Sequence, residues 1–286
     1  MSDESGSPIS GYGEGTTDTV LSVDAVSDEA QALGLSVERD TLLELAGEAP
    51  LVQIDGLTAG YGKMEILHQI DLAVGSGQSL CLVGPNGAGK STILHSIFGF
   101  TQIFSGNINV DGVDVTKQSP SERLRDAGIA YILQDNSVFP DMSVEENLLM
   151  GGYLLPNTTL AKEAAERVFA RYDRLAQRRT DKAGVLSGGE RRLLEISRAL
   201  IMEPKVLLVD EPSIGLEPRF IDMVFEILSD LKDRDGKTII MVEQNAKKGL
   251  AFADIGYVLV SGRVAMADKG ATLLENPDVG RLFLGG

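Results

Sequence analysis

The segment Gly84-Pro85-Asn86-Gly87-Ala88-Gly89-Lys90-Ser91-Thr92 places three glycines, a lysine and two hydroxyls in the spacing G-x-x-x-x-G-K-[ST]. Such glycines let backbone N–H groups turn inward around phosphate oxygens, and a helix beginning at the lysine adds its partial positive charge. Lys90 would supply a point charge for the outer phosphates, and the Ser91 hydroxyl could ligate Mg²⁺. A second constellation is Val206-Leu-Leu-Val-Asp210-Glu211, four apolar residues ending in two carboxylates. A strand buried on both faces would deliver Asp210 and Glu211 to its carboxyl edge, where open α/β sheets bind ligands. There Asp210 is placed to hold Mg²⁺ through water and Glu211 to polarise an attacking water. A third is Leu186-Ser187-Gly188-Gly189-Glu190, in which Ser187 and Glu190 have the spacing of a helix capping box. Behind it, Leu193, Ile196 and Leu200 form one apolar helix face.

These residues need a scaffold, and the pattern around them supplies one. Apolar runs in 51–83, split by turn glycines, lead into the Gly-rich loop, and STILHSIFGF follows as a helix. SGNINVDGVDVT reads as a hairpin with Asp111-Gly112 at its turn. Residues 141–183 are predominantly helical, and from 186 onward helices alternate with short strands. Alternation of this kind predicts a mainly parallel α/β sheet with 141–183 as a helical insertion. No internal repeat is present.

The chain has 286 residues, 43% hydrophobic and 24% charged, with one Cys and no Trp, which is a globular composition. One cysteine excludes an internal disulfide and a multi-Cys zinc site. Cys81, in Leu80-Cys81-Leu82-Val83, reads as a small buried hydrophobe. Of the net charge of −16, residues 1–50 carry −10: eleven acids against Arg39 alone. No basic patch suggests nucleic-acid binding. The N-terminus lacks the positive start and apolar stretch of a secretory signal, and no segment reads as a membrane span. Residues 1 to about 22 are expected to be a disordered tail. Two short helical patterns follow, one capped by Ser27 and one with an apolar edge of Leu42, Leu43 and Leu45; a solvated leader ending at 49 is favoured over a docking element. His68 and His95 read as packing or surface residues, and Arg178-Arg179 and Arg191-Arg192 as solvated helix faces.

LSGGE, together with the phosphate loop and VLLVDE, resembles the ATP-binding cassette (ABC) ATPases over about 51–286. The resemblance implies a P-loop NTPase cassette with a mainly parallel core, an antiparallel β subdomain and a helical signature subdomain at about 136–195, so that 1–49 is the leader and 50–286 the cassette. By the same resemblance, Tyr61 matches the aromatic that stacks on adenine. Gln134 matches the glutamine that reaches Mg²⁺ and the attacking water beside the transmembrane partner. Ser213-Ile-Gly-Leu-Glu-Pro218 matches the loop that crosses to the opposite cassette, with Glu217 where Asp or Ala is common. Gln244 occupies the usual switch-histidine position. Catalysis is thus assigned to Glu211, Gln134 and Gln244, and Mg²⁺ to Ser91, Gln134 and Asp210. ATP falls to Tyr61 and residues Gly84–Thr92, and Leu186–Glu190 would act in trans on a partner's ATP.

VEQN, MSVEENLLMGGY, EPSIGLEP, GYVLVSGRV and the ending LFLGG resemble the ATP-binding subunits of branched-chain amino acid importers, with urea and amides as related solutes. The implied partners are transmembrane permease subunits, a second and different cassette, and indirectly a solute-binding protein, at the cytoplasmic face of the inner membrane. An exporter ATPase of the lipopolysaccharide-transport type and a soluble ABC ATPase of cofactor assembly are the alternatives.

Overall fold

The computed structural model describes residues 37–47, 49–134 and 137–283. Two sheets share one core. The first is antiparallel, in the order β2-β1-β4-β5, from β1 (Pro50–Tyr61), β2 (Met64–Gly75), β4 (Gln102–Val110) and β5 (Val113–Asp114). Asp111 and Gly112 join β4 to β5 with φ of 52° and 74°, the twin positive angles that an Asp-Gly hairpin turn supplies. The second sheet comprises β3 (Ser79–Val83), β6 (Ile129–Ile132), β7 (Val206–Asp210), β8 (Thr238–Val242), β9 (Ile255–Val260) and β10 (Arg263–Lys269). Its order is β10-β9-β3-β8-β7-β6, parallel throughout except for β10 on β9.

Alternation along the parallel strands sorts their side chains into two layers. Leu80, Leu82, Leu208 and Ile240 face the antiparallel sheet and helix α2 (Lys90–Phe98), whose Ile93, Leu94 and Ile97 lie in the same cluster. Cys81, Val83, Val209 and Met241 face the opposite way, toward helix α7 (Gly188–Leu200) and helix α8 (Pro218–Asp233). Cys81 is fully buried, as its apolar run implies. The helix after the phosphate loop therefore sits in the middle of the molecule, covered by both sheets.

A third cluster belongs to the helical region. Helix α4 (Val144–Gly151), helix α5 (Thr158–Arg171) and helix α6 (Asp173–Ala176) bury Val144, Leu148, Val168, Phe169 and Leu175 against Leu193 and Leu194 of α7. Arg179 ties Glu145 to Glu166 across this bundle, and Arg178 bonds Asp181 at 2.8 Å. Helix α3 (Pro120–Arg125) carries Arg123, a fully buried guanidinium that donates to the carbonyls of Ser96 and Ile97 at the end of α2, and to those of Thr116 and Gln118. It stands where the last carbonyls of α2 lack intrahelical donors.

The solvated-leader expectation fails at its C-terminal end. Helix α1 (Arg39–Ala46) lies against β2 and β10. Leu42 is 2% exposed and joins the central cluster with Ala46; Gln78 Nε2 donates to Leu45 O at 3.0 Å, and Arg39 pairs with Asp55. Burying one leucine side chain is worth about 1.5–3 kcal/mol. The Ser27-capped pattern and the expected disordered tail lie outside the described residues.

Candidate nucleotide site

The phosphate loop leaves the end of β3 and closes onto α2. Gly89 has φ 97°, and a Cβ there would meet Leu67 Cδ2 at 2.8 Å, so the turn admits little but glycine. Lys90 Nζ reaches back across the loop to the carbonyls of Gly84 (2.8 Å) and Pro85 (2.9 Å). Burial holds its ammonium below the usual lysine value, while Glu211 and Asp210 pull it upward. A depression of about 310 Å³ opens here, lined by Tyr61, Asn86, Gly87, Gly89, Lys90, Ser91, Thr92 and Glu211.

Asp210, 6% exposed at the end of β7, has an oxygen for each of two hydroxyls. Ser91 Oγ donates to Oδ1 at 3.1 Å and Tyr131 Oη to Oδ2 at 2.7 Å. Burial and then Asp210 push the Tyr131 phenol far up, so it remains a donor. Glu211 follows with φ 43°, a left-handed conformation that turns the chain sharply off the strand. Its backbone N–H donates to Val242 O at 2.9 Å, and its Oε2 accepts from Gln134 Nε2 at 3.1 Å. The Ser91 hydroxyl and the Asp210 and Glu211 carboxylates thus converge beside the loop, with the Gln134 amide held on Glu211. No group of three or more His, Cys, Asp or Glu suited to a metal occurs among the described residues. That hard and sparse donor set suits Mg²⁺, which keeps several waters and takes the rest from one or two carboxylates and phosphates.

Tyr61 is 44% exposed, and its hydroxyl shares a hydrogen bond with His95 Nδ1 on α2. The His95 ring sits edge-on to Tyr61, Phe100 and Tyr131, with centroids 5.7–6.0 Å away. Burial lowers its pKa, which favours the neutral ring. The expectation of a packing or surface residue does not include the hold of His95 on Tyr61; 34 residues separate the two, and no local pattern marks the pair.

The signature residues lie elsewhere. Ser187 caps α7: its Oγ accepts from Glu190 N at 3.3 Å, and Glu190 Oε2 accepts from Ser187 N at 2.9 Å. Those bonds, the backbone one first, hold Glu190 below the usual carboxylate range. Leu186 and Gly189 are buried while Ser187 and Gly188 are exposed. A Cβ on Gly189 would strike the Phe220 ring at 2.2 Å, so close packing with α8 accounts for that glycine. Ser187 and Glu190 line a depression with Arg219 and Phe220 that shares no residue with the one beside Lys90. Gln244, two residues beyond β8, is exposed and lines neither.

The solvated-face expectation fails for Arg192. It is 4% exposed and donates through Nη1 to Glu195 Oε2 and to Leu133 O, both at 2.8 Å. The guanidinium therefore ties the signature helix to the residue preceding Gln134. The missed signal is Glu195, three residues on and thus on the same helix face. Near Gln134 an apolar groove of about 630 Å³ is rimmed by exposed Phe100, Leu133, Phe139, Met150 and Tyr153.

Comparison with known proteins gives a consistent answer. The family described as ABC transporter matches residues 67–214. The high-affinity branched-chain amino acid transport ATP-binding protein BraG of Pseudomonas aeruginosa is 41% identical over 82% of this chain and 100% of its own length. The "Probable branched-chain amino acid transport ATP-binding protein LivF" of Archaeoglobus fulgidus is 39% identical over 80% of this chain and 96% of its own. Among solved structures, the ADP conformation of MJ1267, an ATP-binding cassette of an ABC transporter, superimposes with a TM-score of 0.72. It is 28% identical over 83% of this chain and 100% of that one.

Proposed function

This chain belongs to the ABC transporter family and is an ATP-hydrolysing cassette; from that premise we propose that it powers an importer of branched-chain amino acids or related small polar solutes such as urea or amides. The carrying observation is the paired arrangement at the end of β7, Asp210 on Ser91 and Glu211 on Gln134, beside the phosphate loop. BraG and LivF, named for branched-chain amino acid transport, support the substrate class.

In the proposed mechanism, loop amides and Lys90 bind the phosphates, and the exposed face of Tyr61 takes the adenine. Bound Mg²⁺, held by Ser91 and, through water, by Asp210 and Gln134, would neutralise phosphate charge. Gln134 orients a water against Glu211, whose carboxylate accepts the proton as the water oxygen bonds to the γ-phosphorus. The bond from that phosphorus to the bridging oxygen breaks, and ADP departs with the electron pair.

ABC cassettes work as dimers with transmembrane permease subunits. The separation of the Lys90 and Ser187 depressions supports closure of each ATP between one chain's loop and its partner's signature, with Gln244 near the γ-phosphate. The partner would be a second, different cassette. No helix among the described residues is long and apolar enough to cross a membrane. The apolar groove beside Gln134 supports docking to a permease at the cytoplasmic face, with a solute-binding protein acting on the far side.

The test is to tag the chain, solubilise native membranes in mild detergent and identify what co-purifies. Two distinct polytopic subunits and a second cassette are expected. Recovery with an export assembly, or from the soluble fraction alone, would overturn the importer assignment.

A further inference from the structure

Glu243, the residue after β8, is 2% exposed, and its stem packs near Cys81 and Gly249. An apolar side chain would fill such a place without the cost of desolvating a carboxylate. Both of the acid's hydrogen bonds fall on one oxygen. Oε1 accepts from Ser213 Oγ at 2.7 Å and from Asn245 N at 2.8 Å, while Oε2 is buried without a hydrogen-bond partner. The two donors come from different segments. Ser213 opens the 213–218 loop, and Asn245 N–H belongs to the peptide that follows Gln244. Asn245 also caps helix α9 (Ala246–Phe252), its Oδ1 accepting from Lys248 N at 3.1 Å.

We propose that Glu243 is a positioning residue that fastens the crossing loop to the turn presenting Gln244, so that a partner cassette engaging that loop also sets the glutamine. One acceptor oxygen joins the two segments, and a displacement of Ser213 loads the peptide that aims Gln244. The inference rests on the assignment of Gln244 to the γ-phosphate.

The experiment uses the full chain with its partner subunits and measures kcat and KM for ATP, with melting temperature as a control. The variants are Glu243→Ala, Glu243→Gln and Ser213→Ala, each with and without Gln244→Ala. Losing both hydrogen bonds on Oε1 is expected to lower kcat about ten-fold in Glu243→Ala with KM unchanged, and losing one of them about three-fold in Ser213→Ala. Glu243→Gln keeps the acceptor oxygen and stays within about two-fold of the parent. In the Gln244→Ala background the Glu243→Ala cost should vanish, because the side chain being aimed is gone. A slow Gln244→Ala variant in which Glu243→Ala still costs its full factor overturns the proposal, as does a Glu243→Gln as slow as Glu243→Ala. A Gln244→Ala variant with parental turnover overturns the assignment of Gln244 instead. Should Glu243→Ala fail to fold, the Ser213→Ala and Gln244→Ala pair closes the same cycle.

Discussion

Arg192 and Glu195 are each 5% exposed in their side chains, which makes their pair a sensitive point in the cassette. Replacing Arg192 by Met takes the hydrogen-bonded cation from the buried Glu195 carboxylate, leaving it only the charge of Arg198 beside it, and frees the Leu133 and Asp210 carbonyls. Breaking one half of a buried pair costs about 3–5 kcal/mol. At about 2–4 °C per kcal/mol for a chain near this size, melting should fall by roughly 6–20 °C. The double variant Arg192→Met/Glu195→Leu removes both charges, and such replacements are often neutral or stabilising. What remains is the loss of the bonds to Leu133 O and Asp210 O, about 1 kcal/mol each, so melting should recover to within about 8 °C of the parent. ATPase activity should not recover with it, because the segment leading to Gln134 has lost its anchor. The assay is melting by fluorescence without nucleotide, since ligand stabilises the native state by mass action, followed by steady-state turnover. A single variant that loses less than about 2 °C, or a double variant as unstable as the single, would show that a buried unpaired charge is not what the structure holds there.

Three further outcomes are expected. Glu211→Gln should reduce turnover by at least about 100-fold while ATP still binds, measured by nucleotide titration and phosphate release, because the phosphates are held by Lys90 and the loop amides. Deleting residues 1–36 should leave melting and ATPase intact. Deleting 1–46 removes Leu42 and Ala46 from the core and should cost about 3 kcal/mol or more, read as a lower melting temperature. His95→Ala frees the Tyr61 hydroxyl and should raise KM for ATP by about three- to ten-fold with kcat little changed. Because burial depresses the His95 pKa, the ring stays neutral as pH falls through the ordinary histidine range, and the parent's KM for ATP should stay flat across it.

What could be read from the residues was what local chemistry determines. Asp111-Gly112 specifies its hairpin because few other pairs adopt two positive φ angles. Ser187 and Glu190 specify a helix start because each satisfies the other's backbone N–H. Four apolar residues before Asp210 specify a strand covered on both faces, which is where β7 lies. The misreadings share a different cause. Leu42, Leu43 and Leu45 form an apolar edge, but nothing within 37–49 says that β2 and β10 will receive it. Arg192 looks solvated beside Arg191 until the fold brings the Leu133 carbonyl to it from 59 residues away. Arg123 is hidden in the same manner, since its acceptors are backbone carbonyls that carry no sequence signature.

The docked N-terminal helix leaves an imprint on the strand beneath it. A Cβ at Gly75 would meet Ala46 O at 2.4 Å, and the Gln78 side chain bridges the two segments by accepting from Gly75 N at 2.7 Å and donating to Leu45 O. With α1 seated, what fits at residues 75 and 78 is constrained by a segment some thirty positions earlier. Related cassettes that carry such a helix are expected to keep glycine at the first position and a side-chain amide at the second; those without it are released from both. One position in β2 and one just after it are thus expected to mark the presence of the helix, a correlation that aligning relatives with and without it would test.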